Sequence, residues 1–174
     1  MSALRRGLLA VAAAAVLAGC GWSPLYAPLS SGGDGPAVRG LSEISVDVIP
    51  DRPGQLLRQA LQARFYGAGT SRASLYVLHA NFGLSSDSFA VRQDNTATRA
   101  RLIGATAWTL TASDPRLGTV ASGTARVVDG YNIFDQQYFS ADLAAESAQR
   151  RIAEALADRV TLQLAAYFKK AGME

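Results

Sequence analysis

Over residues 141–170 the chain carries neither glycine nor proline, and Ile152, Leu156, Val160, Leu164 and Phe168 recur along one side. Apolar residues at three- and four-residue spacing mark one stripe of an α-helix, here with Arg150, Arg151, Glu154 and Asp158 mostly elsewhere. Ser140 is suited to cap its start, Asp142 to the positive first turn, and Lys169 and Lys170 to the negative last turn. A helix of this length must bury its stripe against another layer, so the rest of the chain has to supply one.

The rest alternates as strands do. Residues 41–49 put Ile44, Val46 and Val48 on one face, and Pro50 ends the run. Pro53 then suits the first turn of a second helix over residues 54–66, with Leu57, Ala60, Leu61, Arg64 and Phe65 on one stripe and Gly67 and Gly69 as its stop. Residues 74–84 place Tyr76, Leu78, Ala80, Phe82 and Leu84 on one face. Residues 99–112 do so with Leu102, Gly104, Thr106, Trp108 and Leu110, and residues 119–128 with Ala121, Gly123, Ala125 and Val127. The segment from Ser113 to Gly118, with Asp114 and Pro115, signals a hairpin turn. The connection over residues 85–98 reads as a long loop, and residues 129–139 as irregular and aromatic. The expected fold is therefore α+β, in the order β-α-β-β-β-α: a two-layer sandwich with a four-stranded, mostly antiparallel sheet and two helices on one face. Its outer face would carry Ser45, Asp47, His79, Asn81, Arg101 and Thr109.

Ahead of this domain, Arg5 and Arg6 precede an apolar run over residues 7–17. At about eleven residues it is too short to span a bilayer and has the length of a secretory signal core. It ends in Leu17-Ala18-Gly19-Cys20, a bacterial lipobox in which the cysteine accepts the lipid. The expected organisation is a signal peptide over 1–19, a lipidated flexible tether over 20–40, the α+β domain over 41–170 and a tail over 171–174. Lipid chains on Cys20 would anchor the mature protein to a membrane without any spanning segment. Gly21 stands where Asp would retain an enterobacterial lipoprotein at the inner membrane, which points to the outer one. Trp22, Leu25 and Tyr26 give the tether apolar groups that can pack on the domain or a partner.

Processing also alters the charge balance. The chain has 17 Lys and Arg against 14 Asp and Glu. Removing Arg5 and Arg6 leaves about 15 against 14, and no global case for nucleic-acid binding survives. A single cysteine excludes an internal disulfide, and with one histidine, His79, no metal-ligand spacing exists, so neither metal nor cofactor is expected. No nucleophile elbow, phosphate loop or dinucleotide fingerprint occurs. Gly67-Ala68-Gly69-Thr70 follows a helix rather than preceding one. Asp87, Asp94, Asp129 and Asp135 fall in segments expected to be loops, and nothing makes a pair of them converge for hydrolysis. Arg92, Arg99 and Arg101 are more suggestive, because they cluster about the 85–98 connection and arginine binds phosphate bidentately.

The opening Cys20-Gly21-Trp22-Ser23-Pro24-Leu25-Tyr26, the segment from Tyr131 to Ser140 (Tyr-Asn-Ile-Phe-Asp-Gln-Gln-Tyr-Phe-Ser), and the alanine-rich helix after it resemble the LptE family of lipopolysaccharide-assembly lipoproteins. The resemblance covers nearly the whole mature chain. It implies a non-enzymatic protein of the outer membrane that sits in the lumen of the LptD barrel and plugs it. It also implies help with barrel assembly and with inserting lipopolysaccharide in the outer leaflet, through basic residues at one end of the sheet. Arg92, Arg99 and Arg101 are the candidates for that contact. A different class, the auxiliary lipoproteins of ABC-type lipid transporters, shares the lipobox and small α+β domain, and a periplasmic hydrolase is a third. If the arginines bind lipopolysaccharide, Arg92→Ala combined with Arg99→Ala weakens that binding in vitro. Unchanged binding at moderate salt removes them from the contact.

Overall fold

The computed structural model describes residues 35–66, 73–91, 97–132 and 138–172. Helix α1 (Pro36–Ser42) leads into strand β1 (Ile44–Val46), then α2 (Asp51–Tyr66), β2 (Tyr76–Ala80), β3 (Gly83–Val91), β4 (Ala97–Ala112), β5 (Thr119–Asn132) and the long α3 (Tyr138–Ala171). The class is α+β as expected, but the sheet has five strands and the helices number three among the described residues. β1 pairs parallel to β2, while β2, β3 and β5 all run antiparallel to β4.

The extra strand has a clear origin. β2 and β3 lie end to end along the same edge of β4 and in one register, Ala80 opposite Trp108 and Gly83 opposite Ala105. Between them Asn81 donates its N–H to the Ala107 carbonyl at 3.0 Å. Its backbone carbonyl accepts instead from the Thr106 hydroxyl at 2.5 Å, and its side-chain oxygen takes the Ala107 N–H at 2.8 Å. A side chain thus stands in for one rung of the ladder, and the alternation continues past the break to Asp87, in a strand that runs on to Val91. The 85–98 connection expected as a loop is therefore largely strand.

The other departures are local. α1 occupies residues assigned to the tether and the start of the first strand. β1 is short, with Val48 73% exposed and Ile49 buried in its place. Past Pro50, Asp51 turns the chain at a positive φ of 67°, a conformation Asp tolerates better than most residues. Ser140 lies within α3 rather than ahead of it, and β5 runs on to Asn132. The 113–118 hairpin forms as expected: Asp114 accepts from the Arg116 N–H at 3.0 Å, and Gly118 takes the left-handed φ of 56° that closes it. Gly67 and Gly69, expected to stop α2, lie outside the described residues.

All three helices pack on one face. The α3 stripe of Ile152, Leu156, Val160, Leu164 and Phe168 is buried, as are Leu57, Leu61 and Phe65 of α2 and the alternate residues Leu102, Trp108 and Leu110 of β4. Arg64, on the α2 stripe, is half-buried: its guanidinium reaches Asp158 of α3 at 2.5 Å and the Ala60 carbonyl at 3.0 Å, and Asp158 raises its pKa. The Trp108 indole N–H donates to Gln163 of α3 at 2.9 Å, so the largest ring of the core leaves no orphaned donor. At Gly104 α3 comes so close that a Cβ would overlap the Ile152 side chain. No helix among the described residues is long and apolar enough to cross a membrane. Gly104→Ala is expected to lower stability by about 1–3 kcal/mol, the usual cost of overpacking a filled core. In urea denaturation, adding Ile152→Ala to it should cost less than the sum of the two single changes.

Candidate functional site

The face of the sheet turned away from the helices carries the odd positions of β4 and the even positions of β5, since the even β4 residues and the odd β5 residues face the helical layer. Ser45, Asp47, His79, Asn81, Arg101 and Thr109 are all exposed or half-exposed, as their alternation requires. Small and hydroxylated neighbours, Ala105, Ala107, Ser122 and Thr124, keep this surface smooth.

Charge on this face is sparse and mostly paired. Arg101 stands opposite Asp87 in the β3–β4 register and meets it at 3.4 Å, with both side chains about half exposed. Asp47 and His79 meet at 2.9 Å across β1 and β2. The Asp47 carboxylate also accepts the Val48 N–H at 2.7 Å, and this bond, followed by that to His79, holds its pKa below the ordinary value. Arg126 differs. It is exposed on β5 opposite Ala105, and among the described residues no carboxylate lies within ion-pair distance of it. Arg126 and Gly130, the residue opposite Arg101, are four positions apart on β5, which separates the two arginines by about 13 Å along the strand. Between them lie Ile103 and Val128, the latter 51% exposed. Two cations flanking an apolar strip can hold an anionic amphiphile, its charged groups on the guanidinia and its hydrocarbon on the strip.

Arg101 sits within β4, on its outer face, as the alternation of that strand places it. Arg99 belongs to β4, in register with Asn132, while Cys20 and Arg92 lie outside the described residues. Asp87 and Asp129, expected in loops, are strand residues. Asp87 pairs with Arg101, and Asp129 with Arg151 of α3 at 2.7 Å. Asp94 and Asp135 fall outside the described residues. Arg126 belongs to no cluster of charge in the sequence, yet the alternation of Ala121, Gly123, Ala125 and Val127 already puts it on the opposite face. No three His, Cys, Asp or Glu side chains converge among the described residues. A groove between α2 and α3 is lined by Arg52, Arg64 and Arg150, but Glu146 pairs with two of these and Asp158 with the third.

A family model described as LptE, Lipopolysaccharide-assembly, matches residues 41–164. Among solved structures, a candidate lipoprotein from Caulobacter crescentus CB15 is 26% identical, with a TM-score of 0.61 over 76% of this chain and 95% of that one. The rare lipoprotein B from Shewanella oneidensis, 12% identical, gives 0.53 over 75% and 98%. A minor lipoprotein from Acinetobacter baumannii, 15% identical, gives 0.52 over 72% and 92%. These last two share the fold. None of the curated protein sequences matches the chain.

The electrostatics of the outer face carry a sign. A carboxyl group whose folded pKa is depressed contributes stability in full above its ordinary pKa and loses it as pH falls through the folded value. The stability difference between the wild-type protein and Asp47→Ala is therefore expected at neutral pH and should shrink below about pH 4. Denaturation midpoints measured across that range check it, and a gap that widens in acid would contradict the assignment.

Proposed function

The chain belongs to the LptE, lipopolysaccharide-assembly, family, and from that premise we propose that it is an outer-membrane lipoprotein, anchored through a lipid on Cys20, that plugs the LptD barrel. In this role it assists folding of the barrel and takes part in delivering lipopolysaccharide to the outer leaflet. The family match over residues 41–164 is the observation that carries the reading. The outer face of the sheet supports it. That face is wet, smooth and nearly charge-balanced, as a surface housed in a polar, water-filled barrel interior should be. No step of the role calls for a catalytic group, a metal or a cofactor.

Lipopolysaccharide is an anionic amphiphile, and the arginines about the β3–β4 end of the sheet are the groups that meet it. Arg92, Arg99 and Arg101 remain the proposed contacts, and the geometry adds Arg126, whose guanidinium needs no carboxylate displaced before it binds phosphate. Adding Arg126→Ala to the Arg92/Arg99 variant lowers affinity further if the outer face is the contact surface.

Co-purification from native membranes with the full lipidated chain tests the central statement. Recovery of a heat-modifiable outer-membrane barrel is the expected result. Recovery of an ABC transporter or a periplasmic lipid carrier in its place overturns it in favour of an auxiliary transporter lipoprotein. So does a deletion strain whose surface lipopolysaccharide and LptD folding are intact.

A further inference from the structure

The two long edges of the sheet are treated differently. On β5 the even positions point their backbone groups away from β4, and three of these groups are occupied. Gln163 donates to the Thr124 carbonyl at 3.1 Å, Arg159 donates to the Arg126 carbonyl, and Asp129 accepts the Gly130 N–H at 2.8 Å. Capping of this kind keeps an edge strand from pairing with another chain.

Among the described residues the opposite edge has no such capping. There the odd positions of β2 and β3 bond to β4, as Asn81 does to Ala107, so the even positions face outward. On the β2 half β1 covers them, with the Asp47 N–H donating to the Leu78 carbonyl at 3.0 Å. Beyond it, Phe82, Leu84 and Ser86 turn their N–H and C=O groups to a free edge, and among the described residues nothing caps them. A register shift after Ser88 ends the regular stretch. The run from Phe82 to Ser88 contains no proline and no lysine. It forms a notch in line with β1, about seven residues long.

We propose that this notch is a docking site for an extended segment of a partner polypeptide, which adds as one more strand beside β3 and in line with β1. A row of alternating backbone donors and acceptors is complementary to extended backbone and to little else. The flanking side chains specify the segment further. Phe82 and Leu84, both half-exposed, lie on the helix-facing side, and Ser85 and Asp87 lie exposed on the outer side. The occupant accordingly alternates, with apolar residues toward Phe82 and Leu84 and hydroxyl or basic residues toward Ser85 and Asp87. A second copy of this chain fits less well. Symmetric antiparallel pairing of two β3 strands about Leu84 would lay Val91 of one copy opposite Val77 of the other, where β1 already sits, and pairing about Ser86 would set Leu84 opposite Ser88 and run into the register shift that follows it. The inference concerns the edge alone and holds whichever face of the domain meets lipid.

The test uses the folded chain and a capped seven-residue peptide that alternates valine with threonine or lysine. Amide hydrogen exchange read by NMR is expected to slow at Leu84 and Ser86 when the peptide is added, while the amides of Ser122 and Val128 on the β5 edge do not change. Ser86→Pro removes an outward N–H without touching a bond to β4, and it is expected to weaken peptide binding about tenfold or more. Ser122→Pro, the equivalent change on the β5 edge, should leave binding unaltered. Exchange that is unchanged at Leu84 and Ser86 overturns the proposal, and this reading needs no variant to fold. Protection of those amides that rises with protein concentration in the absence of peptide also overturns it, since the occupant is then a second copy.

Discussion

The seating of α3 across the middle of the sheet organises everything else in the domain. Its buried stripe from Ala148 to Phe168 meets the inward residues of β4 and β5, and Gly104 lets the helix backbone come close enough for Ile152 to rest on the strand itself. Each large side chain removed from water there contributes roughly 1.5–3 kcal/mol. The polar groups caught in the layer are satisfied by the helix too, Trp108 through Gln163 and Arg64 through Asp158. With one face committed to this packing, the outer face is free to be shaped by whatever it meets. Its small residues and paired charges make it smooth, and Arg126 stands on it without a carboxylate partner among the described residues.

Most of this was legible because burial leaves a periodic trace. The stripe of α3, the inward series on β4 from Leu102 to Leu110 and the hairpin at Gly118 all follow from spacing and turn chemistry. Where the spacing failed, a tertiary contact had overridden it. Val48 continues the alternation of Ile44 and Val46 yet is exposed, because the chain has already turned toward α2 and Ile49 fills the core instead. β3 was concealed for a different reason: Ser85, Ser86 and Asp87 are polar on both faces, since this strand lies at the margin of the helical layer and has little to bury. α1 was hidden within a segment rich in glycine and proline, and forms because Pro36 starts it well and Phe168 packs on Gly40.

The candidate site shows the same division. Pairing partners such as Asp87 for Arg101 depend on cross-strand register, which a single sequence does not display. The side-chain rung at Asn81 is equally invisible from spacing, because the residue keeps the strand alternation while changing which atom completes the bond. What the sequence does display is the chemistry of the lipobox and the short motifs near both ends of the mature chain. Those motifs suggested the family that the match over residues 41–164 established.

The seat of α1 has a mechanical consequence. Gly40 lies against the Phe168 ring, and Pro36 lies beside Gly172, at the C-terminal pole of a helix roughly 50 Å long. Asp87, Arg101 and the Asp129–Arg151 pair stand toward the other pole. A pull on the chain from the side of Gly35 therefore meets first the seat of α1 against the end of α3, before it reaches the edge strand β1. The domain is thus asymmetric along α3, with its entering chain seated at one extremity and its cross-strand and strand–helix ion pairs toward the other.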